Sequence, residues 1–288
     1  MAPELSCYTT ALVEHLGGRA AERLANAVHL WVRTDSPDQA LAFSHHDRID
    51  DGALVYRHCD RWGEARDALA DQLGREGSVI VVGNAFHLPW SPHHGVRAVP
   101  HWLLLRAHRE RGWRVVDPFH ALTPGGEQRP YDGWLDDDGL HRAMTPVQRL
   151  EPPVFNRDVH ALGTATDPGA LDGYRWLWTG EPSPPAWPGT WLRDPVEVLT
   201  YLRDRFVTDG DVLEQHTDDL WAAARHHSHR RAAHPASASA DAWSRLPKAL
   251  RFAADSARRG RRRTGVVSQA FDSLIDITTR TEVRHARP

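Results

Sequence analysis

The spacing of hydrophobic and polar positions changes along the chain. Leu12 and Leu16 lie four apart within Cys7–Leu16 and Gly17-Gly18 follows, which predicts a short helix that begins at a cysteine. Leu24, Val28 and Trp31 carry the same period through Ala20–Trp31, and Leu69 and Leu73 mark one face of Trp62–Leu73. Ser78–Gly83 is instead a continuous run rich in β-branched residues, as in a buried central strand. His101–Ala107 and Trp113–Asp117 then flank the polar turn His108-Arg109-Glu110-Arg111-Gly112, as the arms of a hairpin do. Beyond Leu150 the strand pattern fades. Pro182–Gly189 predicts a loop or linker, and Asp194–Phe206, Val212–His226, Ala242–Ala257 and Val266–Thr278 read as helices. The order predicts an α+β domain with an antiparallel sheet over 1–150 and a mostly α-helical part over 151–288.

Composition narrows the classes. With 288 residues and 41% hydrophobic positions there is enough apolar surface for a buried core. A net charge of −3 and a pI near 6.7 argue against broad nucleic-acid binding. Two cysteines, no apolar run of membrane-spanning length, and no basic-then-apolar leader lead to the expectation of a cytoplasmic protein without membrane contact. In that reducing setting a Cys7–Cys59 disulfide is not expected. Lys248 is the only lysine among many arginines, a bias that resembles a high-GC bacterial genome.

The candidate chemistry starts at Cys7. Unpaired N–H groups and the positive end of the macrodipole at a helix start favour the nucleophilic thiolate. Cys59, in Tyr56-Arg57-His58-Cys59-Asp60, has no such placement and reads as structural. His101 opens one arm of the hairpin and Asp117 closes the other, so antiparallel pairing returns both to one edge of the sheet. A helix-start thiol beside them supplies a nucleophile, a base and an orienting carboxylate. Tyr8, Asn84, His87, Trp90 and Trp102 are the candidate substrate contacts around that triad. The plainer alternatives are a core histidine at His101 and a turn-starting Asp117 before Pro118. Glu14 and His15 are expected to face solvent.

The order of helix-start Cys7, strand-opening His101 and Asp117-Pro118 after a Trp/Val strand resembles the papain-like cysteine superfamily in its C39-peptidase-like branch. With Leu88-Pro89-Trp90 ahead of the histidine, it resembles more narrowly the N-terminal domain of the butirosin-type acyltransferases. Trp243-Ser244-Arg245-Leu246-Pro247 and the Phe271-Asp272 segment are similar to the helical extension that follows that domain. The resemblance implies a thiol-dependent acyltransferase, or a thioesterase or amide hydrolase, of bacterial specialised metabolism. It implies an acyl carrier protein as a partner and a small-molecule acceptor. Cys7 would be the nucleophile, His101 the acid and base, and Asp117 the orienting carboxylate. Papain-like enzymes bind the oxyanion with a glutamine ahead of the cysteine, and Met1–Ser6 holds none, which leaves the Cys7 N–H and a group such as Asn84. The alternatives are a cyclase on the same fold that uses the His/Asp pair, and a non-catalytic binding protein.

Other clusters carry less chemistry. His45-His46-Asp47, His93-His94 and His226-His227-Ser228-His229 with His234 lack metal-site spacing and read as surface or loop residues, so no metal or other cofactor is expected. Arg258-Arg259-Gly260-Arg261-Arg262-Arg263 is the one focused basic run. Arg258, Arg259, Arg261 and Arg262 are the candidate contacts for an acidic carrier or a phosphate.

Overall fold

The computed structural model describes residues 5–36, 40–123, 125–234 and 240–285. In chain order they begin with α1 (Cys7–Leu16), α2 (Ala20–Ala27), β1 (Val28–Arg33), β2 (Ala42–His46), β3 (Leu54–Cys59), α3 (Trp62–Glu76) and β4 (Val79–Asn84). They continue with β5 (Pro100–Arg109), β6 (Gly112–Asp117), β7 (Ala121–Thr123), β8 (Gly126–Gln128), β9 (Tyr131–Leu135), α4 (Asp137–Ala143) and α5 (Pro152–Val159). The last are β10 (Tyr174–Thr179), β11 (Trp191–Leu192), α6 (Pro195–Thr208), α7 (Gly210–Ala233), α8 (Ala240–Arg258) and α9 (Thr264–His285). No described helix is long and apolar enough to cross a membrane.

Two compact units form, and their division differs from the one expected at Leu150. Met1–Ala21 joins Arg48–Ala186, and Glu22–Asp47 joins Trp187–Pro288. The first unit is built on a six-stranded antiparallel sheet in the order β3-β10-β4-β5-β6-β9. β4 is buried at every position, in accord with its uninterrupted apolar run. Leu69 and Leu73 of α3 and Leu140 of α4 pack on Val79, Val81, Leu103, Leu105, Trp113 and Val115. Truncating one such leucine to alanine costs about 2–5 kcal/mol. β10 is the strand missed in the fading pattern beyond Leu150. It enters the sheet between β3 and β4 although it follows all the other strands of that sheet in sequence, which is why the first unit extends to Ala186.

The second unit combines a small antiparallel sheet, β11-β1-β2, with α6, α7, α8 and α9. Leu30, Val32, Phe43, Leu202, Phe206 and Phe271 lie in its core. The helix expected through Trp31 ends at Ala27, and Val28–Arg33 is a strand with alternate residues buried. Asp194 accepts from the amides of Val196 and Glu197 ahead of Pro195, the cap that starts α6.

Candidate active site

The site is assembled in the first unit from α1, β5 and β6. Ser6 is the N-cap of α1 in extended conformation, and it exchanges a capping box with Thr9. Thr9 N–H donates to Ser6 Oγ at 3.3 Å, and Ser6 N–H donates to Thr9 Oγ1 at 3.1 Å. Thr10 N–H donates to the Ser6 carbonyl at 2.9 Å. The amides of Cys7 and Tyr8 receive no such partner among the described residues, so two helix-start N–H groups stand beside the half-buried thiol. Buried Thr9, Thr10, Ala11 and Leu12 seat the helix on β4 and β5.

Register brings the other two groups together. Leu104 pairs with Val116, so Asp117 stands one step on, opposite Leu103, and His101 follows two residues further on the same strand. His101 Nε2 lies 2.7 Å from Asp117 Oδ2. A carboxylate only accepts, so Nε2 carries the proton and Nδ1 is left for the thiol. Both side chains are buried. Asp117 Oδ2 also accepts from Trp90 Nε1 at 2.8 Å and Gln128 Nε2 at 3.1 Å, while Oδ1 accepts from Phe119 N–H at 3.0 Å. Four donors therefore fix one carboxylate.

Burial alone pushes the His101 imidazole toward its neutral form. The charges of Asp117 and Cys7, with hydrogen bonds to both, overcome it and hold the imidazolium well above the ordinary histidine range. The Cys7 sulfur thus acts on the His101 ring both through its charge and through a hydrogen bond. Next to it, burial and the negative charges of Asp158 and Cys7 push the Tyr8 phenol well above its usual range, so it stays protonated. Burial and Asp158 do the same to Tyr56, whose hydroxyl donates to Asp158 Oδ1 at 3.2 Å. Asp158 is itself buried against Arg175, Nη1 to Oδ2 at 2.5 Å. The arrangement holds a thiol, a protonated imidazole and free amide donors in one place, the parts that nucleophilic acyl chemistry uses.

No family model matches the chain, and no curated protein matches it in sequence.

The remaining expected residues divide. Tyr8 meets the fully buried Trp102 edge-on at 4.9 Å, close to the thiol. Trp90 touches Asp117, but with His87 it lines a separate cavity of about 660 Å³ rather than a pocket shared with Tyr8 and Trp102. Asn84 is engaged in local structure on both sides of its amide. Its Oδ1 accepts from Phe86 N–H at 3.1 Å, and its Nδ2 donates to the Thr145 carbonyl at 3.2 Å. The basic run is also partly occupied. Arg258 pairs with Asp255 and Glu214, and Arg262 donates to the Val207 and Thr208 carbonyls at the end of α6. Arg259 and Arg261 remain exposed.

Two further expectations are corrected. His15 is not solvent-facing: its Nδ1 lies 3.1 Å from Ser78 Oγ, and burial, then Arg106, lowers it to about 4. Glu14 is exposed and pairs with Arg106. The histidines of β2 and α7 are not surface residues either. His46, His226 and His229 are buried, and the His45 and His226 rings stack at 5.4 Å. A β2 buried at four of its five positions and a 24-residue α7 bring these runs inside the second unit, where sequence adjacency suggested exposure. Among the described residues no three His, Cys, Asp or Glu side chains are grouped to hold a metal ion. Cys59 is half-buried at the end of β3 and donates to Glu64 Oε2 at 3.2 Å.

Gln128, Tyr56, Asp158 and Arg175 were not read from the sequence. Each acts through a partner distant in sequence or on another element, and a buried charge pair 17 residues apart leaves no periodic trace.

Proposed function

We propose that this protein is a papain-like thiol enzyme that transfers or hydrolyses acyl groups, with Cys7 as nucleophile, His101 as acid and base, and Asp117 as the orienting carboxylate. The observation that carries the reading is the His101 ring bonded to both Cys7 and Asp117, with Asp117 Oδ2 2.7 Å from its Nε2. The Cys7 thiolate attacks the carbonyl carbon of a thioester or activated amide. The oxyanion is received by the Cys7 and Tyr8 amides, with the neutral Tyr8 phenol nearby. His101 gives its proton to the departing thiol or amine, and an acyl-Cys7 thioester remains. An acceptor amine or water then loses a proton to the neutral His101 as it attacks that thioester, and Cys7 leaves as thiolate with the imidazolium restored. Acyl donors borne on a carrier protein belong to this proposal, and Arg259 and Arg261 are exposed cations open to such docking.

Incubation of the intact chain with an acyl N-acetylcysteamine thioester, followed by peptide mass analysis, tests the reading. The expected result is an acyl mass on the Cys7 peptide that is absent in Cys7→Ala and accumulates in His101→Ala only slowly. Acylation of Cys59 alone, or none in the wild type with several short acyl groups, would contradict it.

A further inference from the structure

A cavity whose lining includes Trp90 but none of Cys7, His101 and Asp117 lies in the first unit. Its volume of about 660 Å³ falls in the range of small-molecule sites. Trp90 and Tyr131 stack face to face, with ring centroids 3.9 Å apart and planes 4° apart, and the stacked pair borders the cavity. The titratable side chains in its lining other than Tyr131 are all basic: His87, His94, Arg129 and Arg142. Arg129 is held by Glu127, which is not part of the lining, at 3.1 Å. Arg142 sits in the last turn of α4 and makes no ion pair among the described residues. Burial, then His94 and Arg142, holds His87 below the ordinary histidine value.

We propose that this cavity is a binding site for a small oxyanion-bearing molecule with an apolar aromatic body, the anion seated on Arg142 and His87 and the body packed against the stacked Trp90–Tyr131 pair. Guanidinium and imidazole donors without a carboxylate partner recognise carboxylate or phosphate, and apolar walls around a few convergent polar groups are the usual make-up of a ligand site. Trp90 faces the cavity and donates to Asp117, so the occupant would lie one side chain away from the proposed catalytic carboxylate. The inference stands apart from the Cys7 chemistry.

Calorimetric titration of the intact chain with phenyl phosphate, benzoate and benzyl alcohol tests it, with Cys7→Ala run in parallel to show that binding does not need the thiol. The two anions are expected to bind one to one, and benzyl alcohol about tenfold or more weakly. The tighter of the anions tells phosphate from carboxylate. Arg142→Gln is expected to weaken both anions about tenfold or more and leave the alcohol unchanged, with Arg142→Lys intermediate. Arg142 is exposed, so both variants keep the fold, and circular dichroism checks this. Absence of saturable binding by either anion, equal binding of the neutral alcohol, or an Arg142→Gln variant with wild-type affinity would overturn the proposal.

Discussion

The Trp90 indole and the His101 imidazole donate to the same oxygen of Asp117, at 2.8 and 2.7 Å. Trp90 is therefore a positioning residue for the pair, since it holds the carboxylate that holds the imidazole. Trp90→Phe keeps the apolar bulk and removes one charge-assisted bond, a change of about 1.5–3 kcal/mol in the bond itself. The expected outcome is a kcat/KM about tenfold lower or worse with the proposed thioester substrate. With one donor fewer, Asp117 attracts the imidazolium more strongly, so the alkaline limb of the rate profile should move upward. An unchanged rate and profile would show that the indole bond positions nothing.

The Asp158–Arg175 pair is the second buried charge arrangement near the thiol. Removing one partner of such a pair leaves an uncompensated buried charge, at a cost of about 3–5 kcal/mol. Asp158→Ala should therefore lower the urea midpoint strongly, because Tyr56 and Arg175 lose their shared acceptor. Replacing both partners, as Asp158→Leu with Arg175→Met, should recover part of that loss. A single variant as stable as the wild type would contradict the role assigned to the pair.

Acid should destabilise the second unit through its buried histidines. Burial, followed by neighbouring histidines, lowers His29 to about 2; burial, then Arg230, lowers His227 to about 3. His226 is also held well below the ordinary value, first by burial. The unfolded chain takes up protons near pH 6.5 that the folded unit refuses, so stability is complete above that value and falls as pH drops below it. Each group contributes up to about 1.4 kcal/mol per pH unit. Thermal unfolding from about pH 7.5 to 5 should show a falling midpoint, and His226→Gln should flatten the curve. A midpoint independent of pH over that range would contradict the neutral cluster.

Much of the site was legible because its residues sit where local patterns change. Cys7 follows directly on the cap of a short amphipathic helix, and His101 and Asp117 end the two arms of a hairpin whose alternation is plain. Where two periods fitted the same residues, the reading failed. Leu24, Val28 and Trp31 match a helical stripe, but Val28, Leu30 and Val32 match an alternating strand equally well, and pairing with β2 and β11 decides in favour of the strand. β10 was missed for another reason: Tyr174-Arg175-Trp176-Leu177-Trp178-Thr179 is rich in aromatic residues, but its partners are β3 and β4, which lie more than a hundred residues or nearly so before it. Asn84 shows the limit of a residue type as a clue, since its amide is spent capping a turn.

The most direct test of the Cys7–His101 pair is the rate of iodoacetamide alkylation of each cysteine at about pH 6.5, where an unassisted thiol is almost wholly protonated. Cys7 should react well ahead of Cys59 in the wild type, and His101→Gln should remove most of that advantage while Cys59 reacts as before. Equal rates at the two cysteines, or a Cys7 rate indifferent to His101→Gln, would contradict the thiolate–imidazolium pair on which the proposed chemistry depends.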